Sequence, residues 1–334
     1  MRRVANGAPR APSYRMSTIA SPEDYEASCE LTDLETFALS RVQGVGMITT
    51  LELDGVRLDQ EIPPFDFMAR SETPTVVCVG NFVPPDSGHL NGAAFDARGF
   101  QVLPAHQEVV GGAPAWTPLV GIAIDPELLE CARLALGGDD IAPLWQQVRI
   151  DDSEGEIRRI VSELLEAAVD PRSDPRQPAA AKELVEEIAR ALNGGGPPAE
   201  PRGRVTSFAL VCDALEFAAA HGYRRTTVGE MCVGISTSEG RLREAFRSIF
   251  GVGPKAFLTA HALNDARRQL LDPTSNATVT HAAADLGFWH FGRFARDYRE
   301  LFGELPSETL RRRGPAHTSE GGLDLADGKA RASG

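Results

Sequence analysis

The sequence predicts an α+β chain of more than one domain: a β-rich N-terminal part that ends in helices, followed by an all-α part carrying two helix-turn-helix units. Three observations predict it. The 334 residues, 42% apolar and 24% charged, suffice for about two domains of ~100 to 200 residues each and exclude a disordered or fibrous chain. Apolar runs that are short and turn-broken as far as Ile124 give way to a helical period beyond it. A segment at residues 193–201, Asn-Gly-Gly-Gly-Pro-Pro-Ala-Glu-Pro, cannot continue a helix and separates the two parts, because glycine loses the most backbone entropy on ordering and proline lacks the ladder donor.

Residues 1–20 are rich in Arg, Pro, Ala and Ser without apolar periodicity, and residues 314–334 resemble them. Both ends are expected to be mobile. From Glu35 to Ile124 the runs Val45–Leu53, Thr75–Val79, Phe100–Leu103 and Leu119–Ile124, set apart by Gly, Pro, Asp and Asn clusters such as 83–88, have the rhythm of a β-sandwich or small barrel. Helices are expected over Pro126–Leu136, Glu154–Val169 and Ala179–Leu192. The last two carry apolar stripes (Ile157, Ile160, Val161, Leu164, Leu165, and Leu184, Val185, Ile188, Leu192) that suit a dimer interface. The divisions expected are therefore 21–193 for the first domain, 194–203 for the linker and 204–313 for the second domain.

Five cysteines at gaps of twenty residues or more write neither a disulfide framework nor a zinc site. No apolar stretch approaches the ~18 residues of a membrane span and no apolar run follows the basic N-terminus, so neither a membrane span nor a secretory leader is expected. A cytoplasmic protein is expected. The net charge of −13 conceals an asymmetry: residues 204–313 hold fifteen basic and twelve acidic side chains, net +3, leaving −16 elsewhere.

The second part is the most informative. A helix over Thr206–Ala220 closes at His221-Gly222, and Thr227 opens the next with Glu230 three residues on, the reciprocal pattern that satisfies two orphan amides. Val228, Met231 and Cys232 form its inner face. After a turn, Ser238 caps a helix with Leu242, Ala245, Phe246 and Ile249 inward and Glu239, Arg241, Arg243, Glu244 and Arg247 outward. A short helix, a tight turn and an Arg-faced second helix can lie in the ~12 Å major groove of DNA and present guanidinium forks to guanine edges. About fifty residues later the unit recurs: Val279–Leu286, Gly287, then Phe288–Phe302 with Phe294, Tyr298, Leu301 and Phe302 inward and Arg293, Arg296 and Arg299 on or near the outside. Pro254–Leu271 reads as a connecting helix. Two such readers on a rigid connector would meet successive major grooves, ~34 Å apart.

Thr227-Val228-Gly229-Glu230-Met231-Cys232, Leu242-Arg243-Glu244-Ala245-Phe246, Gly251-Val252-Gly253-Pro254, Gly287-Phe288-Trp289-His290-Phe291-Gly292-Arg293-Phe294, Tyr298 and Phe302-Gly303-Glu304-Leu305-Pro306 together resemble the DNA-binding domain of the AraC/XylS family of transcription regulators. The resemblance covers about 110 residues, Arg204 to Arg313. It implies bacterial promoter binding by a seven-helix domain and a cupin-like effector-binding or dimerisation domain before it. One departure lies in the first turn, where the family usually has Gly and an aliphatic residue and this chain has Ser236 and Thr237, so Ser236 is expected to take a left-handed backbone. Carried over position by position, the groove-facing residues are Glu239, Gly240, Arg241, Arg243 and Glu244 with Arg247 on phosphate, then Trp289, His290, Phe291, Gly292, Arg293 and Arg296. Arg243 and Arg296 are the expected base readers. Trp289 could equally be core, His290 could cap or pack, and His261 and His281 are expected on ordinary helix surfaces.

No catalytic residues are assigned. Two histidines before residue 200, His89 and His106, are a poor ligand set, so no metal or other cofactor is expected. Cys78 among valines reads as a buried strand residue. No GxSxG, Walker or GxGxxG pattern occurs. The expected partners are duplex DNA at a promoter or operator, RNA polymerase, a small-molecule effector of unassigned binding residues, and a second copy of the chain, with no membrane. The rivals are an enzyme tethered to DNA by its helical domain, a regulator that needs no effector, and a nonspecific architectural DNA binder.

Overall fold

The computed structural model describes residues 13–29, 34–81, 88–95, 98–138, 147–169, 177–194, 204–223 and 225–313. The first part opens with β1 (Ser13–Ile19), α1 (Pro22–Ser28), β2 (Glu35–Ala38) and β3 (Gly46–Leu53). Eight strands follow without an intervening helix: β4 (Val56–Ile62), β5 (Phe67–Glu72), β6 (Val76–Asn81), β7 (His89–Leu90), β8 (Ala93–Ala94), β9 (Gly99–Leu103), β10 (Glu108–Ala113) and β11 (Leu119–Ile124). Within this run β7 pairs β8, β6 pairs β9, β5 pairs β10 and β4 pairs β11, all antiparallel. That nested pairing is one long hairpin folded over into two facing sheets, β4-β11-β6-β9 and β5-β10-β7-β8, a jelly roll of the cupin type. β1 and β3 extend the first sheet at one edge and β12 (Val148–Asp151) at the other, while β2 extends the second.

The strand at Ser13–Ile19 corrects the expectation of a mobile N-terminus through residue 20. β1 pairs with β3 in register from Ser13 opposite Glu52 to Ile19 opposite Gly46. Its side chains are mostly exposed and only Ile19 is buried. Ladder hydrogen bonds, which leave no apolar periodicity, hold it.

α2 (Pro126–Ala135), α3 (Glu156–Val169) and α4 (Gln177–Asn193) follow. The stripes on α3 and α4 are buried in one cluster with Leu51, Val56, Leu58, Cys78, Val102, Val120 and Ile122, so they cover the outer face of the larger sheet. The helices form as the periodicity predicts, but their apolar faces are spent within the chain and are not free for a dimer interface. Their outward sides carry ion pairs instead, with Arg159 joined to Glu156, Glu163 and Glu183.

The second part is seven helices: α5 (Arg204–His221), α6 (Val228–Gly234), α7 (Glu239–Phe250), α8 (Pro254–Leu271), α9 (Val279–Asp285), α10 (Phe291–Phe302) and α11 (Pro306–Arg312). The local chemistry is as expected. Thr227 and Glu230 form the capping box, Ser238 accepts from the Arg241 amide at 3.3 Å, and α7 and α10 both end in left-handed glycines, Gly251 (φ 71°) and Gly303 (φ 76°). Ser236 takes φ 52°, a conformation that costs an L-residue about 1–2 kcal/mol. The second reader helix begins at Phe291, not Phe288: Phe288 is buried in the core, and His290 occupies the N-cap without a side-chain bond.

α8 packs against the first part along β2 and α1. The Asn264 side chain donates to the Ala38 carbonyl at 2.9 Å and accepts from the Ala38 amide at 3.1 Å, acting as a two-bond extension of the sheet edge. His261, expected on a helix surface, is buried instead, stacked on Phe37 at 4.3 Å and on Tyr223 at 3.6 Å. A single apolar cluster runs from Phe37, Phe65 and Phe67 through Phe246 and Phe257 to Phe294 and Tyr298.

Candidate nucleic-acid interface and barrel cavity

α6–α7 and α9–α10 each place a second helix on a fully buried aromatic base. Beneath α7, Leu242, Ala245 and Phe246 are sealed, with Phe246 edge-on to Phe257 at 5.4 Å. Beneath α10, Phe294 lies 4.9 Å from Phe288 and 5.7 Å from Tyr298. The opposite sides are exposed: Glu239, Gly240, Arg241, Arg243, Glu244 and Arg247 on α7, and Trp289, His290, Phe291, Gly292, Arg293 and Arg296 on or before α10. Trp289 is 80% exposed, which disposes of a core role.

A cleft of about 1020 Å³ is lined by Glu239, Arg243 and Arg247 on α7, by the carboxyls of Asp297 and Glu300 on α10, by Lys255 and Thr259 on α8 and by Leu39, Ser40 and Arg41 of the first part, while Arg293 and Arg296 lie outside it. Each Arg expected to read bases is held by its own helix: Arg243 donates to Glu239 one turn back, and Arg296 pairs with Asp297 at 3.2 Å. Such pairs restrict the rotamers of an exposed arginine and leave the rest of its fork open to an acceptor.

Inside the jelly roll is a cavity of about 170 Å³. β4 builds its polar end. Along that strand Val56 and Leu58 point outward beneath the helices, so the pleat turns Arg57, Asp59 and Glu61 inward, where they line the cavity with Tyr25 of α1, its C-cap Cys29, and Ser71 and Thr73 near the end of β5. Arg57 donates from Nε to Asp59 at 2.9 Å and from Nη1 to Glu52 at 3.4 Å. Tyr25 donates its phenolic proton to Glu61. Burial, reinforced by the Asp59 charge, pushes the Glu61 carboxyl up to about 7 against the lowering effects of Tyr25 and Arg57. Sequence reasoning missed this trio. Its only trace is the alternation Arg57-Leu58-Asp59-Gln60-Glu61, which does not say which sheet face is covered.

A folded chain that prefers a neutral Glu61 loses stability as pH rises from the ordinary glutamate value toward 7, because the unfolded chain ionises first. Glu61→Gln should therefore gain on the wild type between pH 5 and pH 8, by on the order of 2 kcal/mol. Thermal melts at the two pH values check it; a stability difference independent of pH would refute the assignment.

The remaining sequence candidates lie elsewhere. His89 is buried with its ring 5.7 Å from that of Phe250, whereas His106 is exposed beside Glu72 at 3.4 Å. Among the described residues no group of three His, Cys, Asp or Glu side chains is placed to hold a metal ion, and no helix is long and apolar enough to cross a membrane. Cys78 is fully buried, and burial pushes its thiol up to about 12.

Two helix-turn-helix units joined by a rigid helix define the class of protein. A helix-turn-helix domain family matches residues 231–312. The "XylDLEGF operon transcriptional activator 1" of Pseudomonas putida is 49% identical over 69 residues, 20% of this chain and 21% of that protein. The "Probable thc operon regulatory protein" of Rhodococcus erythropolis is 36% identical over 100 residues, 29% of this chain and 30% of that protein. These matches span only about a fifth to a third of the curated relatives. A solved structure described as a probable AraC family transcriptional regulator from Rhodopseudomonas palustris is 37% identical, with 32% of this chain covering 99% of that one at a TM-score of 0.30. Over residues 231–312 the chain is a helix-turn-helix domain, similar to those of regulators of the AraC/XylS type.

Proposed function

We infer that this chain is a sequence-specific DNA-binding transcription regulator, with an effector-binding and dimerisation domain over residues 13–193, a linker over 194–203 and a double reader over 204–313. The observation that supports it is the doubled unit: α7 with Arg241, Arg243 and Arg247, and α10 with Arg293 and Arg296, each expose their arginines over a buried aromatic base and are joined by α8, as reading of successive major grooves requires. In this reading Arg243 and Arg296 discriminate bases. Arg241, Arg247 and Arg293 hold phosphate and fix register, and Phe291, 45% exposed, packs on thymine methyls. Trp289, His290, Gly292, Glu239, Gly240 and Glu244 complete the groove-facing surface. Catalysis has no part in it, and the chain acts in the cytoplasm, where RNA polymerase and a second copy of the chain are its further partners. A small molecule in the barrel cavity supplies control, since a ligand regulates only by binding two states unequally.

The test is selection of bound duplexes from a random pool by the full chain, followed by affinity measurements on the selected and a scrambled site. Arg296→Ala should lower affinity for the selected site by about 5- to 150-fold, the equivalent of ~1–3 kcal/mol, and that for the scrambled site far less. Equal losses on both would remove Arg296 from base reading. A wild-type chain that enriches no sequence would overturn the regulator itself.

A further inference from the structure

The barrel cavity and the α8 contact meet on one short helix. α1 supplies Tyr25 to the cavity wall, and Cys29, its C-cap, lies beside it. Its acidic residues hold α8: Arg267 donates from Nε to both Glu23 oxygens at 2.9 Å, and Arg268 donates from Nη2 to Glu26 at 3.0 Å. A movement of Tyr25 is thus a movement of the anchor of α8, the connector of both readers.

The chemistry of the cavity selects its occupant. Arg57 is 7% exposed, and its Nη2 has no hydrogen-bond partner among the described residues. A buried unmet donor is expensive and marks a place for an acceptor. The surrounding carboxyls restrict what that acceptor can be. Asp59 and Glu61 already share the space with the single guanidinium, so a ligand carboxylate would be a third acid around one base. An ammonium would leave Nη2 unmet and face a like charge. A hydroxyl accepts from Nη2 and donates to a carboxyl oxygen. The remaining wall is apolar, with Phe67, Leu90, Phe95, Leu103 and Val109. At about 170 Å³ the space is below the ~300 to 1,000 Å³ of drug-sized sites, so the body of the ligand is compact.

Resting on the regulator reading above, we propose that the cavity takes a small uncharged hydroxyl compound, a phenol or alcohol with a compact apolar body, and that α1 carries its presence to α8. Calorimetric titration of the full chain at neutral pH with p-cresol, benzoate and benzylamine tests the ligand class at nearly constant size. p-Cresol should bind at least about tenfold more tightly than either charged analogue, the worth of one charge-assisted hydrogen bond, and Arg57→Met should erase that preference. Equal affinities, a preference for the acid or the amine, or no binding by any of the three would overturn the proposal, and these outcomes need no variant that must fold.

The α1 route has its own readout, amide hydrogen exchange in α8 with and without p-cresol. The wild type should show a change in α8 protection, and Glu23→Gln should bind p-cresol equally well while losing most of that change. An unchanged α8 in the wild type, or an identical change in Glu23→Gln, would overturn the route. Neither measurement uses DNA, so failure of the regulator reading in the duplex selection remains distinguishable from failure here.

Discussion

Arg267→Ala is expected to destabilise the chain by about 3–5 kcal/mol, the cost of removing one partner from a buried ion cluster. Arg267 is 4% exposed and touches both α1 and the second reader's end. Besides both oxygens of Glu23, it donates from Nη1 to Glu304 at 2.6 Å, and its guanidinium lies 4.7 Å from the centre of the Phe302 ring. Glu304 also accepts from Thr309 at 2.7 Å, and Thr309 in turn accepts from the Tyr298 hydroxyl at 2.9 Å. Truncation leaves Glu23, 29% exposed, without this cation and Glu304, 21% exposed, with Arg312 alone. Urea titration should show the midpoint fall, with Arg267→Lys intermediate because an ammonium keeps the charge but not the fork. A loss below about 1 kcal/mol would mean that the cluster behaves as a surface ion pair and that α1 and α8 are not mechanically joined.

Phe294→Ala should cost about 3–5 kcal/mol by leaving a cavity among buried aromatics. The ring is fully buried, with Phe288 at 4.9 Å on one side and Tyr298 at 5.7 Å on the other. Phe288 anchors the chain just before α10, so the cavity opens under the point where the second reader helix is aimed. DNA affinity should fall on selected and scrambled sites alike, unlike the site-selective loss expected of Arg296→Ala. Denaturation of Phe294→Ala, compared with its duplex affinities, separates the two causes: a loss of binding with unchanged stability would place Phe294 on the DNA and contradict its burial.

Much of the reader was legible in the residues themselves. The Thr227–Glu230 box, the Ser238 cap and the terminating Gly251 and Gly303 all formed as expected, since each bond closes within a few residues and needs no distant partner. The backbone of Ser236 followed from the same local logic. α10 starts three residues later than the spacing predicts because Phe288 packs into the core before the helix begins. His261 reads as a surface residue of the connecting helix, on which Asn264 and Arg267 also lie. Only the approach of β2 and α1 buries them.

Sequence by itself determined the pattern of strands and helices, the doubled reader and the arginines on its exposed sides. These depend on period, capping and turn chemistry, which act over one or two turns of chain. Tertiary structure alone decided that the stripes of α3 and α4 are consumed by a sheet, that Arg57, Asp59 and Glu61 face inward, and that one acidic helix links the cavity to α8. The physical reason is that burial is a property of pairs of surfaces, and the surface that covers a given face comes from residues tens to hundreds of positions away.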